Sequence, residues 1–139
     1  MLAYLLDTNV VSELRKSQPD VNVLAWQQRN ATADIYLSVL VIGEIRQGIE
    51  CIRARDKTRA ENLESWLAGL TGAYRERILP VTADVAEEWG RLNVAPARPP
   101  IVDGLMAATA KVHRLTLVTR NVADVARTGV MVVNPFDPA

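Results

Sequence analysis

Leu2-Ala3-Tyr4-Leu5-Leu6-Asp7-Thr8-Asn9 is an apolar run of strand length that stops at residues suited to starting a helix. A short apolar run bounded in this way reads as a buried strand. The same unit recurs along the chain. Val10, Val11 and Leu14 suggest a short helix, and Pro19-Asp20 a second start ahead of Val21, Leu24 and Ala25. Ile35 to Ser38 reads as the next strand. Ser38 can cap a helix reaching about Arg53, which carries Val41, Ile42, Ile45, Ile49 and Ile52. From Asp56 another helix sets Leu63, Trp66, Leu67 and Leu70 three or four residues apart. Ile78 to Val81 is a third strand, and Thr82 or Asp84 opens a helix with Val85, Trp89 and Leu92. A loop with Pro96, Pro99 and Pro100 leads to an apolar helix, Ile101 to His113. Leu115 to Val118 and Val130 to Val133 supply two more strands around a short helical turn. Alternation of this kind predicts an α/β fold with a central parallel sheet of about five short strands, covered on both faces. Strand order is not readable from the sequence.

Length and composition narrow the function. At 139 residues, positions 1–139 are expected to form one domain. The sequence is 49% hydrophobic and 23% charged, which suits a globular core. Lys plus Arg and Asp plus Glu are both 16, so the formal charge is zero, unlike a binder held to nucleic acid by a strongly basic surface. Cys51 and His113 are the sole cysteine and histidine. No intrachain disulfide is possible, and a structural zinc site lacks ligands. No stretch approaches the roughly 18 apolar residues of a membrane span. The first residues lack the basic start of a signal peptide, so a cytoplasmic protein is expected, with no membrane partner.

The informative residues are carboxylates inside apolar segments. Asp7 follows the first strand. Glu44 lies in Val39-Leu-Val-Ile-Gly-Glu44-Ile45, and Asp103 in Ile101-Val-Asp103-Gly-Leu-Met-Ala-Ala108, where it shares a face with Met106, Ala107 and Ala110. An unpaired buried carboxylate costs several kcal/mol or changes its protonation. A hard divalent cation with oxygen ligands accounts for all of them together. Strand ends in an open parallel sheet are where such sites collect, and Thr119-Arg120-Asn121 follows the fourth strand in the position equivalent to Asp7. Taken singly, each acid has another reading. Asp7 can cap its helix, Glu44 can pair with Arg46, and Asp103 can be a charge favoured at a helix N-terminus.

Other residues receive structural readings. His113 sits at a helix end and is assigned no role. Cys51 reads as a small core residue. Trp26, Trp66 and Trp89 read as packing or dimer contacts. The basic run Arg53, Arg55, Lys57 and Arg59 reads as a solvated connector, with RNA-backbone contact as the alternative.

Asp7-Thr8-Asn9 after the first strand, Glu44 in Val-Ile-Gly-Glu-Ile, Asp103 in Asp-Gly-Leu-Met-Ala-Ala-Thr-Ala, the segment Leu117 to Asp124 and the ending Val133-Asn-Pro-Phe136 together resemble the PIN domain. More narrowly, the chain looks like the VapC and FitB-like ribonuclease toxins, over nearly its whole length. The resemblance implies a three-layer α/β/α fold, an endoribonuclease dependent on Mg²⁺ or Mn²⁺, a homodimer, and a small VapB-like antitoxin whose C-terminal segment fills the acidic cleft. Carried over by position, Asp7, Glu44 and Asp103 form the acidic metal site. A frequent fourth acid is replaced by Asn121, with Asp124 three residues on as a possible substitute. Thr8, Ser38 and Thr119 are further candidates for bonding carboxylates or substrate. Two other activities compete. A Mg²⁺-dependent phosphatase would use Asp7 as nucleophile, though Asn9 stands where a second aspartate is wanted. A regulatory domain that binds RNA with little or no cleavage would fit the loss of an acid at Asn121. A receiver-like signalling module is disfavoured, because no lysine follows Lys111.

Overall fold

A computed structural model describes residues 2–96 and 98–139. Strands β1 (Ala3–Leu6), β2 (Asp34–Ser38), β3 (Ile78–Leu79), β4 (Thr116–Val118) and β5 (Val132–Val133) form one sheet in the order β3-β2-β1-β4-β5. Every pairing is parallel. The helices are α1 (Thr8–Arg15), α2 (Val21–Arg29), α3 (Val39–Arg53), α4 (Lys57–Ala73), α5 (Ala83–Leu92), α6 (Ile101–His113) and α7 (Val122–Val125).

This order determines the layers. The chain moves from β1 through β2 to β3 in one direction, then crosses back to β4 and continues outward to β5. Right-handed crossovers place α1 to α4 on one face and α5 to α7 on the other. The packing agrees: α1 meets α2 and α3, α3 meets α4, and α6 meets both α5 and α7. Sheet residues covered on both sides must be apolar throughout, and Leu5, Leu37, Leu117 and Val118 are buried between the layers. The reversal of direction lies between β1 and β4, beside the carboxyl end of β1. That is where Asp7 stands.

Local chemistry fixes most helix starts. Asp20, Ser38, Asp56 and Thr82 each accept a hydrogen bond from a first-turn N–H. Gly104 serves close packing: a Cβ there would lie 3.0 Å from Pro99 Cγ and 3.3 Å from the Trp89 ring. Beyond it in α6, Met106, Ala107, Ala108, Thr109 and Ala110 are buried, the small side chains letting the helix pack closely. Of the tryptophans, Trp26 packs edge-on against Tyr4 at 5.0 Å, and Trp66 lies 5.6 Å from the Arg15 guanidinium. In the basic run, Arg53 pairs with Glu50 and Glu64, while Arg55, Lys57 and Arg59 are exposed.

Some expectations are corrected. The third and fifth strands shrink to Ile78–Leu79 and Val132–Val133, each pairing with its neighbour over two residues. A 3₁₀ turn at Arg75–Arg77 precedes β3. Cys51 is exposed rather than in the core. The buried stripe of α3 runs through Val41, Ile45 and Ile49, and at 100° per residue Cys51 falls on the far side of the helix. Among the described residues no helix is long and apolar enough to cross a membrane.

Candidate active site

The site starts from the pairing of β1 with β4. Leu6 aligns with Val118, and the Asp7 N–H donates to the Val118 carbonyl at 2.9 Å. The next residues, Asp7 and Thr119, are therefore side by side, and both are buried. Thr119 Oγ1 donates to Asp7 Oδ2 at 2.7 Å, and the Thr8 N–H donates to Asp7 Oδ1 at 2.7 Å. Asp7 is thus the helix cap that one reading of the sequence proposed, and it is also held from across the sheet. A buried carboxylate with donors on both oxygens has a fixed orientation.

Asn9 extends this network. Its Nδ2 reaches Asp7 Oδ2 at 3.4 Å and Thr119 Oγ1 at 3.3 Å, while its Oδ1 accepts the Arg120 N–H at 3.2 Å. The Asn121 N–H donates to Thr119 Oγ1 at 3.0 Å. Asn9 is thus a strut between α1 and the segment after β4. Sequence reading gave Asn9 no part in holding the site, since its partner Thr119 is 110 residues away. Its amide occupies the place where the phosphatase reading wants a second acid.

Glu44 is anchored from α1. Thr8 Oγ1 donates to Glu44 Oε1 at 2.5 Å. The alternative partner, Arg46, pairs instead with Glu50 and Glu64. Ser38 is fully buried and its Oγ accepts the Leu40 N–H at 3.0 Å. That is a helix cap, and no hydrogen bond joins Ser38 to the acids among the described residues.

Asp103 stands in the first turn of α6, half-buried. Among the described residues its carboxylate takes part in no hydrogen bond and no ion pair. Its pKa is pushed up to about 6, first by burial and then by the negative charges of Asp7, Asp124 and Glu44. Those acids come from the end of β1, from α7 and from α3, and with α6 four separate elements bring their carboxylates into one field. Asp124 lies in the exposed first turn of α7. Asn121, exposed at the start of α7, makes no side-chain capping bond.

No three Asp, Glu, His or Cys side chains among the described residues form a ready metal cage. The donor set still fits one kind of ion. Mg²⁺ is held by oxygen, commonly through one or two carboxylates with water completing its shell. Asp7 has a fixed orientation, and among the described residues Asp103 has no hydrogen-bond donor that an ion would displace. An ion there would relieve the repulsion that raises the Asp103 pKa.

Comparison with known proteins identifies the family. The family model for the PIN domain matches residues 4–129. The VapC ribonuclease Y4jK of Sinorhizobium fredii is 33% identical, over 97% of this chain and 99% of that protein. Toxin FitB of Neisseria gonorrhoeae is 34% identical, over 95% of this chain and 97% of that protein. The crystal structure of FitAcB from Neisseria gonorrhoeae superposes with a TM-score of 0.85 at 31% identity, covering 96% of this chain and 98% of that one. The chain belongs to the PIN-domain family, together with VapC ribonucleases and the toxin FitB.

Proposed function

We propose that this chain is an endoribonuclease that hydrolyses RNA phosphodiester bonds at the Asp7–Glu44–Asp103 site with a divalent cation, Mg²⁺ or Mn²⁺, and that it is the toxin of a toxin–antitoxin pair. The observation that carries the reading is the Asp103 carboxylate, which has no hydrogen-bond or ion-pair partner among the described residues and lies in the field of Asp7, Asp124 and Glu44. Family membership supports the same activity, with relatives named as a VapC ribonuclease and as a toxin.

Asp7 and Asp103 are the residues to hold the cation, with Glu44 as a second carboxylate. A bound divalent cation offsets charge on a phosphoryl oxygen and makes an attacking water more acidic. The chain's own groups do the rest. Thr119, Thr8 and Asn9 keep the Asp7 carboxylate in one orientation, so little reorganisation is needed when substrate arrives. Glu44, held by Thr8, would accept a proton from the attacking water. Asn121 offers a carbonyl oxygen without adding charge, and Asp124 supplies the outer negative field. Without a cation the carboxylates repel RNA, so binding and cleavage share one requirement. The biological unit is a homodimer in the cytoplasm, inhibited by a VapB-like antitoxin that occupies the cleft.

The test is cleavage of single-stranded RNA by the purified protein with Mg²⁺, with Mn²⁺ and with chelator, beside Asp7→Asn. Cleavage is expected only with metal and only in the wild type. Full activity in excess EDTA would overturn the reading.

A further inference from the structure

An acidic site must still hold a polyanion. The chain has no net charge, so attraction has to come from particular cations near the carboxylates. Several arginines are already committed: Arg46, Arg53 and Arg91 all pair with glutamates. Arg120 is different. It follows Thr119 directly, is exposed, and forms no ion pair among the described residues. Its N–H is bonded to Asn9, which in turn reaches Asp7, so its backbone is two hydrogen bonds from the Asp7 carboxylate.

The side chain is also held. The Arg120 guanidinium carbon lies 3.7 Å from the centroid of the Phe136 ring. Phe136 is itself fixed, since its N–H donates to Asn134 Oδ1 at 3.0 Å and its carbonyl accepts Asn22 Nδ2 at 2.9 Å. A guanidinium stacked on an aromatic face keeps its N–H edge free in the plane, the geometry that binds phosphate oxygens two at a time.

We propose that Arg120, stacked on Phe136 at the rim of the acidic site, is a phosphate-binding residue that grips the RNA backbone beside the bond to be cleaved. The assignment rests on the ribonuclease reading above. Phe136 acts through Arg120 as a positioning residue.

The experiment measures binding of a short single-stranded RNA with hydrolysis-resistant phosphorothioate linkages to the otherwise wild-type protein at fixed Mg²⁺ over a series of KCl concentrations. Adding Arg120→Gln should weaken binding about tenfold, as for loss of a charge-assisted contact. It should also reduce the slope of log K against log salt by about 0.7, the value for one phosphate contact on a single strand. Arg120→Lys should keep the slope and recover part of the affinity. Phe136→Leu should keep the slope and weaken binding a few-fold. Arg55→Gln, in the connector after α3, should change neither. In otherwise wild-type protein, Arg120→Gln should raise KM more than it lowers kcat. An unchanged slope and affinity for Arg120→Gln, or an equal loss for Arg55→Gln, would overturn the assignment while wild-type cleavage leaves the ribonuclease reading standing. Wild-type protein that neither binds nor cleaves RNA in Mg²⁺ would overturn both.

Discussion

Asp103→Asn separates a functional carboxylate from a structural one. The Asp103 pKa rises from an ordinary 3.8 to about 6. At about 1.4 kcal/mol per unit, that corresponds to about 3 kcal/mol between the ionised and neutral forms. Asp103 is only half-buried, so solvent screening reduces this to about 1–2 kcal/mol. The sign follows from proton binding. A raised acid pKa means the folded state holds the proton more tightly than the unfolded chain does. The native protein is therefore favoured below pH 4, loses that advantage as pH rises from 4 to 6, and stays at the lower stability above 6. Asn carries no charge at any of these pH values. Metal-free Asp103→Asn should melt about 3–8 °C above wild type at pH 7.5, and the gap should close as pH falls towards 4. Mg²⁺ should stabilise wild type more than the variant and narrow or reverse the order, because a ligand bound only by the folded state adds about 2.7 kcal/mol at a hundred times its Kd. RNA cleavage should be lost while the fold survives. Thermal melts of both proteins in EDTA and in Mg²⁺, at pH 4.5, 6 and 7.5, provide the check. A variant that melts below wild type in EDTA at pH 7.5, or a gap that ignores pH, would show that Asp103 makes a stabilising contact and would refute the reasoning.

Other substitutions probe the scaffold around the acids. Thr119→Val removes the 2.7 Å donor to Asp7; it should cost about 1–2 kcal/mol in chemical denaturation and lower kcat, whereas Thr119→Ser should retain most of both. Gly104→Ala forces a methyl against Pro99 and Trp89, so denaturation should show a loss of about 1–3 kcal/mol, together with reduced cleavage as the first turn of α6 shifts Asp103. The antitoxin should place a basic side chain, an arginine by geometry, among Asp7, Glu44 and Asp103 and compete with metal; a complex that leaves those acids open to solvent would contradict this.

What the sequence by itself determined was the kind of elements and the residues worth watching. Strand-length apolar runs, capping residues at Asp20, Ser38, Asp56 and Thr82, and the 3.6-residue periodicity of α3 and α4 are local properties, and local energetics realise them. The helix from Ile101 to His113 was legible to the residue, and a carboxylate in an apolar segment marked Asp7, Glu44 and Asp103 before any contact was visible. Tertiary structure decided what lies beside what. The order β3-β2-β1-β4-β5 depends on which strands meet across the crossovers, and no window of sequence contains that information. Edge strands β3 and β5 extend only as far as their two-residue pairings with β2 and β4, and Cys51 took its exposure from the phase of α3 against the sheet. The bonds that build the site are just as remote: Asp7 to Thr119 spans 112 residues and Thr8 to Glu44 spans 36. Capping and periodicity act over a few residues, whereas the field at Asp103 arises only when β1, α3, α6 and α7 are packed together, because Coulomb energy depends on distance in space and not along the chain.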